Sequence, residues 1–230
     1  MKKLLFIFGA IAILTSCKNN GTTNATENNA ATNAETKIID SENHGDALKS
    51  ASYEVETTMP AGMGTTKTKT IFDDYGKKSR TVIQSSISFG GKAMNSASNN
   101  LLLDGYVYNW QTDQKTGMKF KLDETKMDLK NTDFSRLSEE MKKKLNFKME
   151  GKEDINGKEC TVASFSSEQM QGKVWVWKQI PMKTELNVVG KTITSKLISL
   201  DENPSIPSGT FEIPSDVLFN EMQLPATAEK

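Results

Sequence analysis

The sequence predicts a mainly β (α+β) protein: one large antiparallel sheet, strongly curved or partly closed, with one mid-chain helix and a short N-terminal helix. Three observations lead there. From Tyr53 to Leu200, apolar and polar residues alternate in short runs separated by Gly, Asn, Asp and Pro turn signals, the pattern of successive half-buried strands. One stretch follows a different period: Phe134, Leu137, Met141 and Leu145 form a single stripe of a helix, with Glu139, Glu140, Lys142 and Lys143 outside it. A glycine-rich phosphate loop and a strand-helix-strand rhythm are both absent from the 230 residues, which excludes a doubly wound nucleotide-binding domain.

The N-terminus comes first. Lys2 and Lys3 precede an uncharged run from Leu4 to Leu14, too short to span a hydrocarbon core of roughly 30 Å as a stable helix. A basic start, a short apolar stretch and small residues describe an export signal. Leu14-Thr15-Ser16-Cys17 resembles the lipobox of bacterial lipoproteins. That resemblance implies a signal peptide over 1–16, cleavage before Cys17, and acylation of Cys17 with a diacylglyceryl thioether and an amide-linked chain (palmitate or similar). Two or more acyl chains make release from a membrane slow. The alternative is a secreted protein in which Cys17 is accidental. By analogy with lipoprotein sorting, Lys18-Asn19-Asn20-Gly21, with no Asp after the cysteine, favours the periplasmic face of the outer membrane.

From Lys18 to Thr36, six Asn, five Thr and four Ala fill fifteen of nineteen positions. Such a composition cannot bury enough surface to offset chain entropy. It predicts a tether over 17–46, reaching roughly 30 Å from the bilayer. His44, the single histidine, falls in it. The folded unit then occupies 47–222, with 223–230 as a tail.

Within that unit, Asp46 to Ser50 reads as a short helix. Tyr53 and Val55 alternate with Glu54 and Glu56, Met59 to Gly64 turns, and Thr65 to Phe72 alternates Thr with Lys. Asp74-Tyr75-Gly76 turns again before Lys78 to Ser86, and Gly90 to Asn99 reads as a Gly/Ser/Asn loop. Asp104-Gly105, set between Leu101-Leu102-Leu103 and Tyr106 to Trp110, is a tight-hairpin signal. Met118 to Leu122 closes this meander. Asp133 is placed to cap the helix, whose lysines gather at its C-terminal end. Strands follow over Lys148 to Ile155, Glu159 to Ser166, Lys173 to Lys178, Met182 to Val189 and Thr192 to Leu200, with turns at Asn156-Gly157 and Gly190-Lys191. Pro204 to Pro214 is irregular around a short Thr210 to Ile213 strand.

Charge and chemistry narrow the function. The chain carries 29 basic and 29 acidic residues, and loss of the signal leaves 27 against 29; a nucleic-acid binder would be basic. With His44 in the tether, His-dependent catalysis has no base. No serine is followed three positions later by lysine, and no Cys/His spacing suits zinc. After modification of Cys17, Cys160 is left as the sole thiol, so no intramolecular disulfide can form, and it reads as a small buried hydrophobe. Asp201-Glu202-Asn203 lacks the spacing of a calcium loop. Asp73-Asp74 and Glu139-Glu140 read as solvated faces; a carboxylate-pair hydrolase is the least supported reading. The expectation is a non-enzymatic protein without cofactor or metal.

What stands out instead is aromatic. Trp175 and Trp177 share one strand face, with Val174 and Val176 on the other, while Tyr106, Tyr108 and Trp110 make a second row. Strands apolar on both faces need cover on both. Either helices and loops close a solid core, or they cover a cavity for an apolar guest that these five aromatics would line. Met59, Met63 and Met94 lie in Gly-rich stretches and read as an adaptable lid or membrane-touching tip, or as loops folded onto the core.

Gly172-Lys173-Val174-Trp175-Val176-Trp177, then Ile180-Pro181-Met182-Lys183, then Gly209-Thr210-Phe211-Glu212-Ile213-Pro214, behind a lipoprotein-type signal, resemble the LolA/LolB superfamily, and within it lipoproteins of the Bacteroidota. The resemblance covers roughly 47–218. It implies an incomplete barrel of about eleven antiparallel strands with helices plugging its mouth. LolA and LolB carry lipoprotein acyl chains across the periplasm, so it also implies an acyl-chain cavity. The anchored topology matches LolB, whose protruding hydrophobic loop Met59 to Met63 would parallel. Arg80 is the single arginine on a strand available to gate a lid. The sequence therefore leads to a monomeric, outer-membrane-anchored periplasmic lipoprotein that binds acyl chains or another apolar ligand. The alternative is a scaffold lipoprotein with a filled barrel and protein partners.

Overall fold

The computed structural model describes residues 46–121, 142–143, 145–168 and 170–222. Among the described residues, twelve strands form one open, curved sheet. They are β1 (Ala51–Thr58), β2 (Gly64–Asp73), β3 (Lys78–Phe89), β4 (Lys92–Leu103), β5 (Tyr106–Gln111), β6 (Thr116–Lys121), β7 (Lys148–Ile155), β8 (Lys158–Ser166), β9 (Met170–Trp177), β10 (Ile180–Val188), β11 (Lys191–Asp201) and β12 (Leu218–Glu221). Their spatial order is β12-β6-β5-β4-β3-β2-β1-β11-β10-β9-β8-β7. The chain thus builds outward from β1 to β6, restarts at the opposite edge with β7, and returns until β11 docks beside β1. All pairs are antiparallel except β12 with β6. Bulges at Glu54/Val55, Pro181/Lys183 and Met149/Gly151 bend the sheet.

The tight turns follow local chemistry. Asp104-Gly105 and Asn156-Gly157 both take positive φ, as a two-residue turn matched to strand twist requires. Asp154 Oδ1 accepts the Gly157 N–H at 2.8 Å. The β10–β11 turn falls on Val189-Gly190, one residue before the position expected from sequence, and Asn187 Oδ1 accepts the Gly190 N–H at 3.0 Å.

Several expectations are corrected. Asp46 to Ser50 is not helical; so short a segment cannot meet the cost of helix nucleation. Its backbone is held another way: Leu48 N–H donates to Gln179 Oε1 at 3.0 Å and Leu48 C=O accepts from Gln179 Nε2 at 2.8 Å, so a side-chain amide stands in for a neighbouring strand. Gly90 to Asn99 is not a loop. Gly90-Gly91 makes the turn, and Lys92 onward is β4, paired with β3 along Ser79 to Phe89; cross-strand pairing outweighs the weak strand preference of Ser and Asn. Thr210 to Ile213 is not a strand but the end of a turn over 208–211 and the irregular residues after it, and the closing strand is Leu218–Glu221, which makes twelve strands among the described residues where about eleven were expected. The expected helix over 134–145 lies outside the described residues, save for Lys142, Lys143 and Leu145, the last already in a turn. What is described there is a closing turn: Phe147 N–H to Lys142 C=O at 2.8 Å and Asn146 N–H to Lys143 C=O at 3.2 Å, with Asn146 at φ 43°, the bonding of a Schellman stop.

The core lies where the first strands meet β8 to β10. Ala51, Phe72, Cys160, Val162, Trp175, Ile180 and Met182 form one buried cluster, with Leu48, Tyr53, Leu197 and Leu200 against it. Large side chains buried in this way contribute roughly 1.5–3 kcal/mol each. From β11 the chain crosses to the far edge as a strap, held by Lys158–Glu202, by Lys78 Nζ 5.4 Å from the Phe211 ring centre, and by Lys115–Asp216.

Val189 sits at φ 50° and is 81% exposed, a strained conformation for a β-branched side chain that buries nothing in return. Val189→Asn, which creates an Asn-Gly turn, is expected to raise stability by about 1 kcal/mol, read as a higher denaturation midpoint with unchanged slope.

Candidate functional site

Alternate strand residues share a face, and following the registers from strand to strand sorts the whole sheet into two. The polar face carries Glu54 and Glu56 of β1 opposite Lys69 and Lys67 of β2, then Arg80, Lys119, Lys173, Lys183, Glu185 and Lys196. The other face is neutral. Tyr53, Val55 and Thr57 of β1 sit beside Thr70, Thr68 and Thr66 of β2. Thr81, Ile83 and Ser85 of β3 follow, then Asn100, Ser98 and Ser96 of β4. Leu200, Leu197 and Ser195 of β11 lie on the opposite side of β1. Among the described residues, the charges on the neutral face are confined to strand ends at Lys92, Glu159 and Lys191 and to the edge strand β7.

The neutral face has two textures. Hydroxyls fill its centre and bond across strands: Thr57 to Ser195 at 2.9 Å, Thr66 to Ser85 at 3.1 Å, and Thr70 to Thr81 at 3.1 Å. Tyr53 is hydrogen-bonded to Thr70, and burial pushes its phenol above the usual pKa. Apolar groups fill the flanks: Leu102, Val107 and Phe120 on one side, Val174, Phe165 and Leu186 on the other. Gly172 leaves room for two of these. A Cβ there would lie 2.5 Å from Phe165 Cζ and 2.6 Å from Leu186 Cδ2. Met94, Met118 and Met149 are exposed on this same face.

The five aromatics singled out from sequence stand on the polar face, in two groups. Tyr106, Tyr108 and Trp110 gather around Phe219 of β12, whose ring meets Tyr108 at 5.2 Å and Trp110 at 5.6 Å, both edge-on. The Phe219 ring crosses Gly117, where a Cβ would come within 2.6 Å of it. Arg80 lies 4.6 Å from the Trp110 ring centre and donates to Asn99 Oδ1 at 3.0 Å, while Asn99 donates to Thr112. Arg80 Nε is buried without a partner among the described residues, and burial lowers the guanidinium pKa. Trp175 and Trp177 form the second group. Lys183 and Lys173 cover Trp175 at 4.4 and 4.9 Å, and Lys158 and Lys178 cover Trp177 at 4.1 and 4.5 Å. The lysine ammonium groups thus stand over both rings, while Trp175 also belongs to the buried core cluster and Trp177 packs against that cluster. Six strands stand between β5 and β9, roughly 34 Å along the curved sheet.

The remaining candidates are placed as follows. Met59 is buried at 8% exposure and Met63 is half-buried; Met59 N–H bonds Gly64 C=O at 2.9 Å and Ser88 N–H bonds Met63 C=O at 2.7 Å, which folds that loop onto the sheet. Met94 belongs to a strand, not a loop. Cys160 is fully buried and burial pushes its thiol up. Asp201 Oδ1 accepts the Asn203 N–H at 3.0 Å and Glu202 pairs with Lys158, so both acids are engaged. Asp73 is drawn below the usual carboxylate range by Lys78 at 2.9 Å. Cys17 and His44 lie outside the described residues. Two open hollows, of about 590 and 430 Å³, have mixed linings: Thr65, Lys67, Gln84 and Asn95 with Ser85, Ser96 and Ala97 in one, and Lys148, Glu150, Lys173 and Glu185 with Phe165, Gly172 and Leu186 in the other. None of the five aromatics lines either. The neutral face itself had a sequence signal, the Thr/Lys alternation of β2, which puts every lysine on one side.

No known family profile matches the chain, and no curated protein matches it. Solved structures resemble it distantly. An uncharacterized conserved protein from Thermus thermophilus has 8% identity over 76% of this chain and 91% of its own, with a TM-score of 0.46. The MucA/MucB complex of Pseudomonas aeruginosa has 12% identity over 73% of this chain and 56% of the matched chain, with a TM-score of 0.43. A putative outer membrane lipoprotein-sorting protein domain from Vibrio parahaemolyticus has 11% identity over 73% and 91%, with a TM-score of 0.32. No function is transferred from scores this low.

Glu153 accepts Trp175 Nε1–H at 2.7 Å and pairs with Lys173 at 2.9 Å, and these contacts, the tryptophan bond first, hold its carboxyl below the usual range. A lowered carboxylate contributes stability above its ordinary pKa and loses it as pH falls through the lowered value. Tryptophan emission is therefore expected to shift in acid with a midpoint below about pH 4.3, and Glu153→Gln should remove that step.

Proposed function

We propose that this chain is a lipid-anchored protein of the bacterial envelope, non-enzymatic, that holds an acyl chain or comparable apolar guest against the neutral face of its sheet, as a lipid or lipoprotein carrier or acceptor. One observation carries the reading: from β1 to β6 and β8 to β11, charge is segregated to one side, and the opposite side is neutral except at strand ends. A face meant only for water has no need to exclude charge. A guest laid on the apolar flanks gains about 25 cal/mol per Å² removed from water, without stripping solvent from an ion.

The N-terminal sequence supports the anchor. Acylated Cys17 would hold the protein at the periplasmic face of the outer membrane, and the 17–46 tether would let the sheet meet cargo away from the bilayer. The resemblance to the LolA/LolB superfamily agrees with this role. In this reading Tyr106, Tyr108, Trp110, Trp175 and Trp177 stiffen the sheet from behind, and the guest contacts Val55, Leu197, Phe165 and Leu186.

Native mass spectrometry of gently purified protein should show bound lipid, and a fluorescent neutral acyl ester should bind. Leu197→Lys should weaken that binding at least tenfold. Cys17→Ala should release the protein from membranes while leaving binding intact. A lipid-free mass with no binding of the ester would instead favour the filled-barrel scaffold.

A further inference from the structure

Resting on that reading, we infer that the guest is a neutral amphiphile, an acyl chain joined to ester, amide or hydroxyl groups as in an acylglycerol, with its uncharged head on the hydroxyl row formed by Ser195, Thr57, Thr66 and Ser85. These four residues come from β11, β1, β2 and β3 and stand side by side in the register. They are half-buried, and they bond in pairs, Thr57 with Ser195 at 2.9 Å and Thr66 with Ser85 at 3.1 Å. Each pair spends one hydroxyl hydrogen on itself, which leaves one hydrogen and several lone pairs to face a guest. The row therefore presents donors and acceptors at the strand spacing of about 4.8 Å, suited to the clustered oxygens of a glycerol ester. One step further along the strands the same face carries Leu197, Val55, Thr68 and Ile83, apolar at three of its four positions, and the acyl chain begins there.

The same face discriminates against an ionised head. A carboxylate or phosphate on the hydroxyl row would lose water without meeting a cation, because the lysines and Arg80 of these central strands project from the opposite side. Lys92 and Lys191 lie four residues beyond the row, at exposed strand ends, roughly 13 Å along the strand. Exposed and solvated there, they compensate little.

The test uses the full-length protein purified from membranes and three competitors sharing one oleoyl chain: monooleoylglycerol, oleate and oleoyl-lysophosphatidylglycerol, each displacing the fluorescent acyl ester at pH 8. Monooleoylglycerol is expected to bind at least tenfold tighter than either anion. Thr66→Val with Ser85→Ala, which removes two hydroxyls and little volume, should cut that preference about tenfold while leaving binding of a hydrocarbon probe unchanged. Should that pair fail to fold, Thr57→Val with Ser195→Ala reads the same quantity. Thr68→Lys, which plants a cation on the neutral face, should raise oleate affinity. Equal or tighter binding of the anions, or a preference untouched by loss of the hydroxyls, overturns this inference and leaves the acyl-chain reading standing. Failure of every probe to bind overturns both.

Discussion

The register of β1 is the constraint on which the rest depends. β1 is the seam between the half of the sheet built from β2 to β6 and the half that returns through β8 to β11. Side chains alternate with period two, so a slip of one residue at this seam would turn every group of one half to the other face. The seam is specified on both sides at once. Ala51 against Phe72 is buried, Thr57 bonds Ser195, and Glu56 lies between Lys67 and Lys196. The bulge at Glu54/Val55 absorbs an extra residue of β11 without letting the faces exchange. A neutral face continuous across two halves of the chain exists because this one pairing is unambiguous.

The polar face solves a different problem, how to bury large rings on a surface that also carries lysines. Each tryptophan of β9 lies beneath two lysine ammonium groups, and Lys158, Lys173 and Lys183 pair at the same time with Glu202, Glu153 and Glu185. At the other end, Phe219 arrives from the C-terminal strand to close the Tyr108–Trp110 row. The strap from Glu202 to Val217 makes that arrival possible by crossing the sheet, with Phe211 against Lys78 on the way. Rings and cations thus rigidify one face, and the opposite face keeps its charges to strand ends and the β7 edge. The edges are treated unequally. β7 is bulged and rich in Lys, Glu and Asp, features that discourage pairing with another chain, whereas β12 is four residues long and parallel to its neighbour.

Much of this architecture was legible in the residues. Turn chemistry at Asp104-Gly105 and Asn156-Gly157 located two hairpins, and the alternation of β7 to β11 located five strands within a few residues. Elements that depend on distant partners were not legible. β4 reads as a loop because Ser and Asn prefer loops, and it becomes a strand because β3 offers it eleven cross-strand positions. Leu48 reads as part of a helix because its clasp on Gln179 spans 131 residues. What surrounds the aromatic rows was not legible for a related reason. Tryptophan and tyrosine draw attention to a strand, yet a strand presents two faces, and local sequence says which residues share a face without saying what that face meets.

By itself, then, the amino-acid sequence determined the β class of the folded unit, its hairpin turns and the division of each strand into two sides, because these follow from backbone geometry and nearest neighbours along the chain. Tertiary structure alone decided how the sides of twelve strands align, that the aromatics lie behind lysines, and that threonines and serines from four strands form one row. Those outcomes depend on register and on contacts between residues more than a hundred positions apart, which no short window of sequence contains.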